Sequence, residues 1–587
     1  MDAGDSPLPR SLSVGAEGVG GARRRYLLLA VLFAAFALWP LTAPGYFHKA
    51  HDARHSLFFL VQFDEAVSDG ALIPRWGADH AFGYGYPTFV FISPLAYYLA
   101  EGFHLAGAAI TTAVKLTYAV SILLGTLGMF LLAEALAGPV AGLLAAVLYT
   151  YAPYRFVDIY VRADLAETFA LCLYPWALWA FWRLAARPSR RTVALAAGCF
   201  AALLLAHNVT ALLFVPLLTG FILVALLARR RLGRWRAWAA SLAAGILALA
   251  IAAFSLLPAV TERAYVNQEQ WTRGTYNYQQ HFVYPGQLLS PLWGYGYAVP
   301  GASDDMSFQV GLALLAFAAL GLILGARERR MRPFALLLAI ALVGYGFLML
   351  PWSAPLWRAL PMLALAQFPW RLLGVATLSA ALLGSLTVAR PVGRGVEDAS
   401  ALLLALVVVL AAGVGYAQAQ HTPPSTRAET SVAVVDFERA FPDMVGMTAW
   451  TREMPRGSPK LEAYLAGATV PLAESDVPGA RLEPLHKGGH VQSVLATLPA
   501  AGEVRFYTYY YPGWRAYVDG REVPVRPAGQ LGVIALDVPA GEHVLAIRFG
   551  DTPLRGLANW ATLAAVAVVT LLFLWPRRAI PPEARQC

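Results

Sequence analysis

The 587-residue sequence is 58% hydrophobic and only 14% charged, whereas soluble globular proteins carry about 25% charged residues. Apolar runs recur along most of the chain, which excludes a soluble globular fold and indicates a polytopic α-helical membrane protein. The formal net charge of +9 does not indicate a nucleic-acid partner, because Lys and Arg form short clusters between the apolar runs.

The cysteines exclude two further kinds of site. Cys172 and Cys199 fall inside apolar runs, and Cys587 is the last residue. These positions predict neither a disulfide framework in an extracytoplasmic part nor a cysteine-type metal centre.

The first apolar run, 26–43, follows Arg23, Arg24 and Arg25. It is long for a signal peptide, and Pro44 stands where a cleavage site would have to work, so we expect a retained first span after a cytoplasmic tail, 1–25. Further apolar runs bring the predicted total to about twelve spans, with both termini in the cytoplasm: 112–134, 139–153, 165–185, 191–207, 209–228, 237–258, 307–325, 333–350, 371–389, 400–416 and 557–575.

The segment 89–107 decides the orientation of every later loop. It is apolar enough to be counted as a span, but it contains Pro94, Glu101 and His104. Counting it would place the later basic clusters outside, against the positive-inside rule. We therefore predict an interfacial or re-entrant helix on the outer face.

Four outer-face segments of substance remain in this topology: 44–111, 154–167, 259–306 and 417–556. The last of them alternates apolar and polar residues and has turn signals at Asp519-Gly520 and Ala540-Gly541. It predicts an extracytoplasmic β-sandwich-like domain between the transmembrane domain, 26–416, and the final helix, 557–575, which a cytoplasmic tail, 576–587, follows.

The stretch HDARHSLFFLVQFDE, 51–65, places polar residues directly after the first span. Asp52 is a strong helix N-cap residue, and this is the simpler interpretation of it. A cap does not explain the rest of the loop, where the aromatic stretch GYGYP, 83–87, is typical of a surface on which sugar rings stack. The alternative for that stretch is a plain structured turn.

A second polar cluster, YRFVDIYVRADLAE, 154–167, lies on the same predicted face. Charge there is costly unless it is used or paired, and pairing of Arg162 with Asp158 is the simpler interpretation. His207 could equally be a satisfied polar residue, and Arg371 an interfacial anchor. Together these segments bring a carboxylate that can take a hydroxyl proton close to cations that can neutralise a phosphate leaving group.

The loop order resembles the GT-C glycosyltransferase superfamily. Asp52 in HDARH matches the position of the first-loop acid, which is catalytic or binds the metal in that superfamily. VRADLAE, through Asp164 and Glu167, is a loose match to the second-loop acidic motif of the oligosaccharyltransferase branch, although it lacks a strict Asp-x-Asp.

More narrowly, the chain resembles the YfhO-like bacterial membrane proteins labelled 6-pyruvoyl-tetrahydropterin synthase-related. The residues that carry this resemblance are GYGYPTFVFISPLAYYLA (83–100), FPWRLL (368–373), TREMPRGSP (451–459), YYPGWRAYVDGREVPV (510–525) and VPAGEHVLAIRF (538–549). The resemblance implies sugar transfer, in the plasma membrane, from a polyprenyl-phosphate donor to a cell-envelope glycan or glycoconjugate acceptor.

The resemblance also implies roles for single residues. Asp52 would be the base, Arg162 and Arg371 would face the donor phosphate, and Asp164 or Glu167 would orient substrate. A divalent ion held by Asp52 and Asp164 belongs to this expectation. The remaining expected substrate-binding residues are His55, Arg75, Trp76, Tyr84, Tyr86 and His207.

Two other functions stay open. A transporter or flippase for a lipid-linked intermediate predicts charged or broken helices near the bilayer midplane, whereas the charges in this sequence fall at the ends of the predicted spans. A non-catalytic envelope scaffold with a glycan-binding β-domain predicts that loss of the acids changes nothing.

Overall fold

The structure is a computed structural model that describes residues 14–228, 234–303, 305–388, 395–416, 418–423, 426–442 and 445–575. Of the basic clusters between the predicted spans, 390–394 lies outside the described residues, and 229–236 does so in part. The residues after Trp575, including Cys587, and most of the N-terminal tail also lie outside them.

Helices make up most of the described chain. Their bounds are α1 Val14–Leu38, α2 Ala53–Ser68, α3 Thr88–Phe91, α4 Leu95–Leu105, α5 Ile110–Ala137, α6 Pro139–Thr150, α7 Pro153–Phe156, α8 Leu165–Ala186, α9 Arg190–Ala206, α10 Asn208–Leu227, α11 Arg234–Ile251, α12 Ala253–Thr261, α13 Pro285–Leu289, α14 Leu312–Arg327, α15 Arg332–Leu348, α16 Ala354–Ala359, α17 Pro361–Ala364, α18 Leu373–Ser385, α19 Gly395–Val414, α20 Ser431–Ala440, α21 Pro459–Ala466 and α22 Pro553–Leu574.

Every predicted span overlaps one of these helices, but the predicted count of twelve is not confirmed. Within the described residues, six helical segments are long and apolar enough to cross a membrane. Three further pairs meet that test only together, and they bend by 51° after α6, 71° after α11 and 88° after α15. The spans are therefore less regular than the sequence predicts.

The segment 89–107 is divided between two helices. α3 ends at Phe91, and α4 begins at Leu95 after Pro94. α4 has 11 residues, about 17 Å of helix, and so it is too short to cross a hydrocarbon core of about 30 Å.

The β-strands form a sandwich near the C-terminus. They are β1 Ala473–Ser475, β2 Arg481–Lys487, β3 Val491–Leu498, β4 Gly502–Tyr509, β5 Trp514–Val518, β6 Arg521–Val523, β7 Arg526–Ala528, β8 Val533–Val538 and β9 Gly541–Phe549. One antiparallel sheet has the order β1-β4-β8-β7 and the other β2-β3-β9-β5-β6. The predicted β-rich region begins at 417, but α20 and α21 precede the first strand.

Alternating burial along the strands builds the core of the sandwich. Val494, Ala496 and Leu498 of β3 face the interior, opposite Val504 and Phe506 of β4. The predicted turn at Asp519-Gly520 joins β5 to β6 with φ of +50° and +80°, the two positive values that a type I′ hairpin requires.

Candidate active site at the carboxylate–arginine cluster

Asp52 immediately precedes α2, but its side chain makes no capping hydrogen bond to the first turn of that helix. The simpler interpretation of Asp52 as a cap therefore fails. The Asp52 side chain keeps 41% of its surface accessible. Among the described residues, no group donates a hydrogen bond to the Asp52 carboxylate, so this acid is free to act on a ligand.

Backbone hydrogen bonds hold Asp52 against the second polar loop. The Asp52 N–H donates to the Arg162 carbonyl at 2.6 Å, and the His51 N–H donates to the Val161 carbonyl at 3.1 Å. One turn further along α2, the Ser56 hydroxyl donates to the Ala163 carbonyl at 3.0 Å. The two loops that the sequence predicts on one face thus meet at Asp52.

The second loop has an unusual backbone. Val157–Arg162 forms a π-helical turn, a feature that often occurs at functional sites. The next residue, Ala163, has a φ of +55°, which is strained for a residue with a β-carbon. Hydroxyls of Ser56 and Tyr118, the latter at 2.7 Å, hold the Ala163 carbonyl in place.

Arg162 is the centre of a buried ion cluster. It pairs with Asp158, with Glu167 at 2.9 Å and with Asp164 at 3.1 Å. Its guanidinium lies 4.6 Å from the Trp370 ring centroid, in cation–π contact. The expected pairing with Asp158 is present. Three carboxylates and an aromatic ring surround the buried Arg162 guanidinium, so it is placed to position the acids, and its contact with a donor phosphate stays a prediction.

Arg371 joins the same cluster from the start of α18. Its Nε donates to Glu167 at 2.9 Å, and its Nη2 lies 3.5 Å from Asp164. Its Nη1 donates to the Ala366 carbonyl and to the Gln367 side chain, each at 3.1 Å. A guanidinium has five N–H donors, so these contacts with described residues leave Nη2 one donor for a ligand.

The cluster contains more carboxyl groups than arginines. Three carboxylates, Asp158, Asp164 and Glu167, face two arginines, and Asp52 adds a further acid nearby. The Asp52 carboxylate is only partly accessible. Its partial removal from water raises its pKa to about 6, and the negative charge of Asp164 is the second cause. Burial alone would raise the pKa of Asp164, but Arg162 and other cations lower it to about 2.

The two expected histidines lie beside the cluster. His55 Nδ1 is 3.7 Å from Asp52 Oδ1, and burial lowers the pKa of His55 to about 4. The His55 ring is therefore neutral near pH 7. His207 precedes α10 and accepts the Thr210 N–H at 3.2 Å, which is the satisfied polar role that the sequence left open.

The other expected substrate-binding residues lie elsewhere. Buried Arg75 contacts Asp551 at 3.5 Å and Asn559 at 3.1 Å. Trp76 packs on Trp514 and Phe549, and Tyr84 stacks on Tyr509 with centroids 5.3 Å apart. Tyr86 binds Gln270 through its hydroxyl. Trp76 and Tyr84 are buried and Tyr86 is half-buried, so GYGYP contributes to the packing against the β-sandwich.

The donor set does not fit the expected divalent ion. In the described part of the chain, no three His, Cys, Asp or Glu side chains are grouped closely enough to hold a metal. Both oxygens of Asp164 are already engaged, one by the arginines and one by the Glu167 N–H at 2.9 Å.

Further residues support the site, although the sequence alone does not point to them. Trp370, Ser56 and Tyr118 contact the cluster or its loop, and Tyr154 donates to Glu167 at 2.7 Å. Trp370 precedes Arg371 in FPWR, so its position in the sequence already indicated that it lies near the cluster. Ser56 and Tyr118 carry no local signal, because only the fold brings them to Ala163.

A family of membrane proteins, described as 6-pyruvoyl-tetrahydropterin synthase related domain, matches residues 89–419. An uncharacterized protein of Lactococcus lactis subsp. cremoris (strain MG1363) is 23% identical over 184 residues, which are 30% of this chain and 30% of that protein. The chain thus spans less than a third of the curated relative it matches.

The chain is also similar to solved structures of membrane enzymes, although the TM-scores and the sequence identities are low. Arabinofuranosyltransferase AftD from Mycobacteria has a TM-score of 0.45 and 21% identity over 67% of this chain and 26% of that chain. The Archaeoglobus fulgidus oligosaccharyltransferase has a TM-score of 0.40 and 14% identity over 76% and 60%. ArnT from Cupriavidus metallidurans, bound to undecaprenyl phosphate, has a TM-score of 0.39 and 12% identity over 66% and 63%.

None of these TM-scores reaches 0.5, so the chemistry of the site rests on its own geometry. The family match covers more than half of the chain and includes the second polar loop and Arg371. The chain belongs to the family of membrane proteins described as 6-pyruvoyl-tetrahydropterin synthase related.

Proposed function

We propose that the protein is a membrane glycosyltransferase that moves a sugar from a polyprenyl-phosphate donor to a hydroxyl of an extracytoplasmic envelope acceptor. The observation that carries the proposal is the Asp52 carboxylate, accessible and uncapped, held by the backbone beside a buried carboxylate–arginine cluster. A structural acid would be paired or capping, whereas a general base must be free to reach a substrate proton.

The proposed step uses the groups of this chain as follows. Asp52 takes the proton of the acceptor hydroxyl as its oxygen bonds to the anomeric carbon of the donor sugar. The bond between that carbon and the phosphate oxygen breaks, and polyprenyl phosphate leaves with the electron pair. The remaining Nη2 donor of Arg371 contacts the developing phosphate charge, while Arg162 holds Asp164 and Glu167 in position.

The pKa of Asp52 suits this role. A base with a pKa of about 6 is mostly ionised at pH 7 and is more basic than an ordinary carboxylate. His55 lies 3.7 Å from Asp52 but is neutral near pH 7. It therefore forms no ion pair that would lower the basicity of the Asp52 carboxylate.

The direct test follows the release of polyprenyl phosphate from polyprenyl-phosphate sugars by the protein in lipid discs. The Asp52→Asn variant is expected to lose about 10²- to 10⁴-fold in rate. Asp64→Asn, a change of the same kind further along α2, is the matched control and is expected to keep its rate. Equal turnover by Asp52→Asn would remove the base assignment.

Transport of a lipid-linked intermediate is the second candidate, and the bends in the helices favour it more than the sequence did. The pair α6 and α7 bends by 51°, and its second arm contains Arg155, Asp158 and Arg162. Broken helices with internal charge are typical of transporters. Movement of labelled donor across liposomes without release of polyprenyl phosphate would establish transport in place of transfer.

A further inference from the structure

The helix that begins after Asp52 ends in a junction with the β-sandwich. α2 has 16 residues, about 24 Å, and it runs unbroken from Ala53 to Ser68. Its first turn is fixed to the second polar loop through Asp52 and Ser56. Its last turn and the following Asp69 meet the hairpin of β2 and β3, so one rigid element joins the site to the β-sandwich.

Asp69 anchors the turn between β2 and β3 by its carboxylate. Oδ2 of Asp69 accepts the backbone N–H of His490 at 2.8 Å and that of Val491 at 2.6 Å. Oδ1 of Asp69 lies 2.8 Å from His486 Nε2. A carboxylate that accepts two backbone N–H groups fixes the position and the orientation of the turn.

Lys487, at the end of β2, forms a second anchor. Its Nζ lies 2.6 Å from Glu65 of α2 and 3.3 Å from the fully buried Asp79. Gln62 of α2 donates to both of these carboxylates at 3.0 Å. Removal of the lysine would leave Glu65 and Asp79 facing each other with no ion-pair partner among the described residues, which low-dielectric surroundings make costly.

The turn and the helix are in contact backbone to backbone. A β-carbon added to Gly489 would lie 2.8 Å from the Ala66 Cα and 2.9 Å from the Ala66 nitrogen. These Ala66 atoms belong to the helix backbone and cannot move aside without moving α2 itself. The turn therefore acts as a stop against which the C-terminal end of α2 is seated.

We propose that the turn between β2 and β3, with Lys487 as its positioning residue, sets the position of Asp52 by fixing the far end of α2. This inference rests on the proposed function of Asp52. With both ends of α2 held, Asp52 keeps one place relative to the carboxylate–arginine cluster. A displacement of the far end strains the hydrogen bonds that join the first turn of α2 to the second polar loop, and it thereby reorients the Asp52 carboxylate.

Gly489→Ala in the full-length protein in lipid discs tests the inference, because it inserts a steric wedge and changes no charge. We expect kcat for polyprenyl phosphate release to fall by about 10-fold or more with the donor KM within about twofold, since small misplacements of catalytic groups act on the chemical step. Backbone hydrogen exchange at Asp52 and Ser56 is expected to quicken. Gly550→Ala is the matched control, because nothing lies within 4 Å of a β-carbon at Gly550.

Lys487→Met and Lys487→Arg give a second, independent pair of variants. We expect Lys487→Met to reproduce the fall in kcat and the faster exchange, and Lys487→Arg to restore both, because it keeps the cation. If Gly489→Ala does not fold, this pair of variants alone tests whether the turn positions Asp52.

Two outcomes separate this inference from the proposed function. Faster exchange at 488–491 in the variants, with exchange at Asp52 and Ser56 and kcat both unchanged, would overturn the positioning role. If the wild-type protein releases no polyprenyl phosphate, the proposed function fails, and the exchange at Asp52 and Ser56 alone tests the coupling through α2.

Discussion

The Asp52 carboxylate combines two properties that seldom occur together in a loop acid. It is accessible, and yet its surroundings raise its pKa to about 6. Asp164 lies in the second polar loop, which contacts Asp52, and nearby cations, Arg162 first, lower its pKa to about 2. Two neighbouring acids whose pKa values are driven apart have different roles, one as a proton acceptor and one as a fixed charge.

The pH dependence of turnover follows from the raised pKa of Asp52. The base is active when ionised, so kcat/KM is expected to fall as the pH drops through about 6 and to be level above it. Release of polyprenyl phosphate between pH 4.5 and 8 measures this. A profile that stays level down to about pH 4.5 would contradict the assignment.

Asp164→Asn is expected to move the acid limb of that profile to lower pH. The charge of Asp164 is the largest charge effect that raises the pKa of Asp52, so its removal lowers the pKa of Asp52. Asn keeps the N-cap that Asp164 gives to α8, which limits structural damage. Asp64→Asn should leave the acid limb of the pH profile unchanged. A shift of that limb to higher pH in Asp164→Asn would contradict the prediction.

At the scale of single elements, α22 depends on one buried ion pair. Arg555, near its start, donates to Glu262 through Nε at 2.8 Å and Nη2 at 2.7 Å, and Tyr511 also donates to Glu262 at 2.9 Å. This arrangement ties α22, α12 and the β-sandwich together at one point.

Arg555→Met is expected to lower the free energy of unfolding by about 3–5 kcal/mol, because it leaves Glu262 buried without a cation. Thermal unfolding in detergent measures the change. Arg526→Met, which breaks exposed pairs with Asp537 and Glu503, is the control and should have little effect. Equal melting temperatures for the two variants would show that the buried pair contributes nothing.

Elements with a local cause were predictable from the sequence. Apolar runs gave a helix at each predicted span, and Asp519-Gly520 gave the β5–β6 turn. The bends after α6, α11 and α15 were not predictable, because hydropathy does not record helix direction. The burial of Trp76 and Tyr84 was missed because their partners, Trp514 and Tyr509, lie more than 400 residues away along the chain.

Across the whole molecule, the four segments assigned to the outer face contact one another. The first loop meets 154–167 at Asp52, 259–306 at His51, and the β-sandwich at Asp69. This shared location is what the charge-based topology requires. Which side of the membrane they occupy stays a prediction from the positive-inside rule.

The orientation can be tested with single cysteines placed on exposed positions in a background without the native ones. Leu485, 54% exposed on the β-sandwich, and Arg329, in the basic segment after α14, are suitable sites. A membrane-impermeant maleimide should label Leu485→Cys in intact cells and Arg329→Cys only after permeabilisation. The reverse pattern would contradict the topology.

The most direct test of the account compares donor binding with chemistry in Asp52→Asn. Because the base acts on the acceptor hydroxyl, the dissociation constant for the polyprenyl-phosphate sugar should stay within about twofold of wild type, while the single-turnover rate of sugar transfer falls by about 10²- to 10⁴-fold. Transfer at the wild-type rate by Asp52→Asn would contradict the central claim, and Asp52 would then be only the residue that precedes α2.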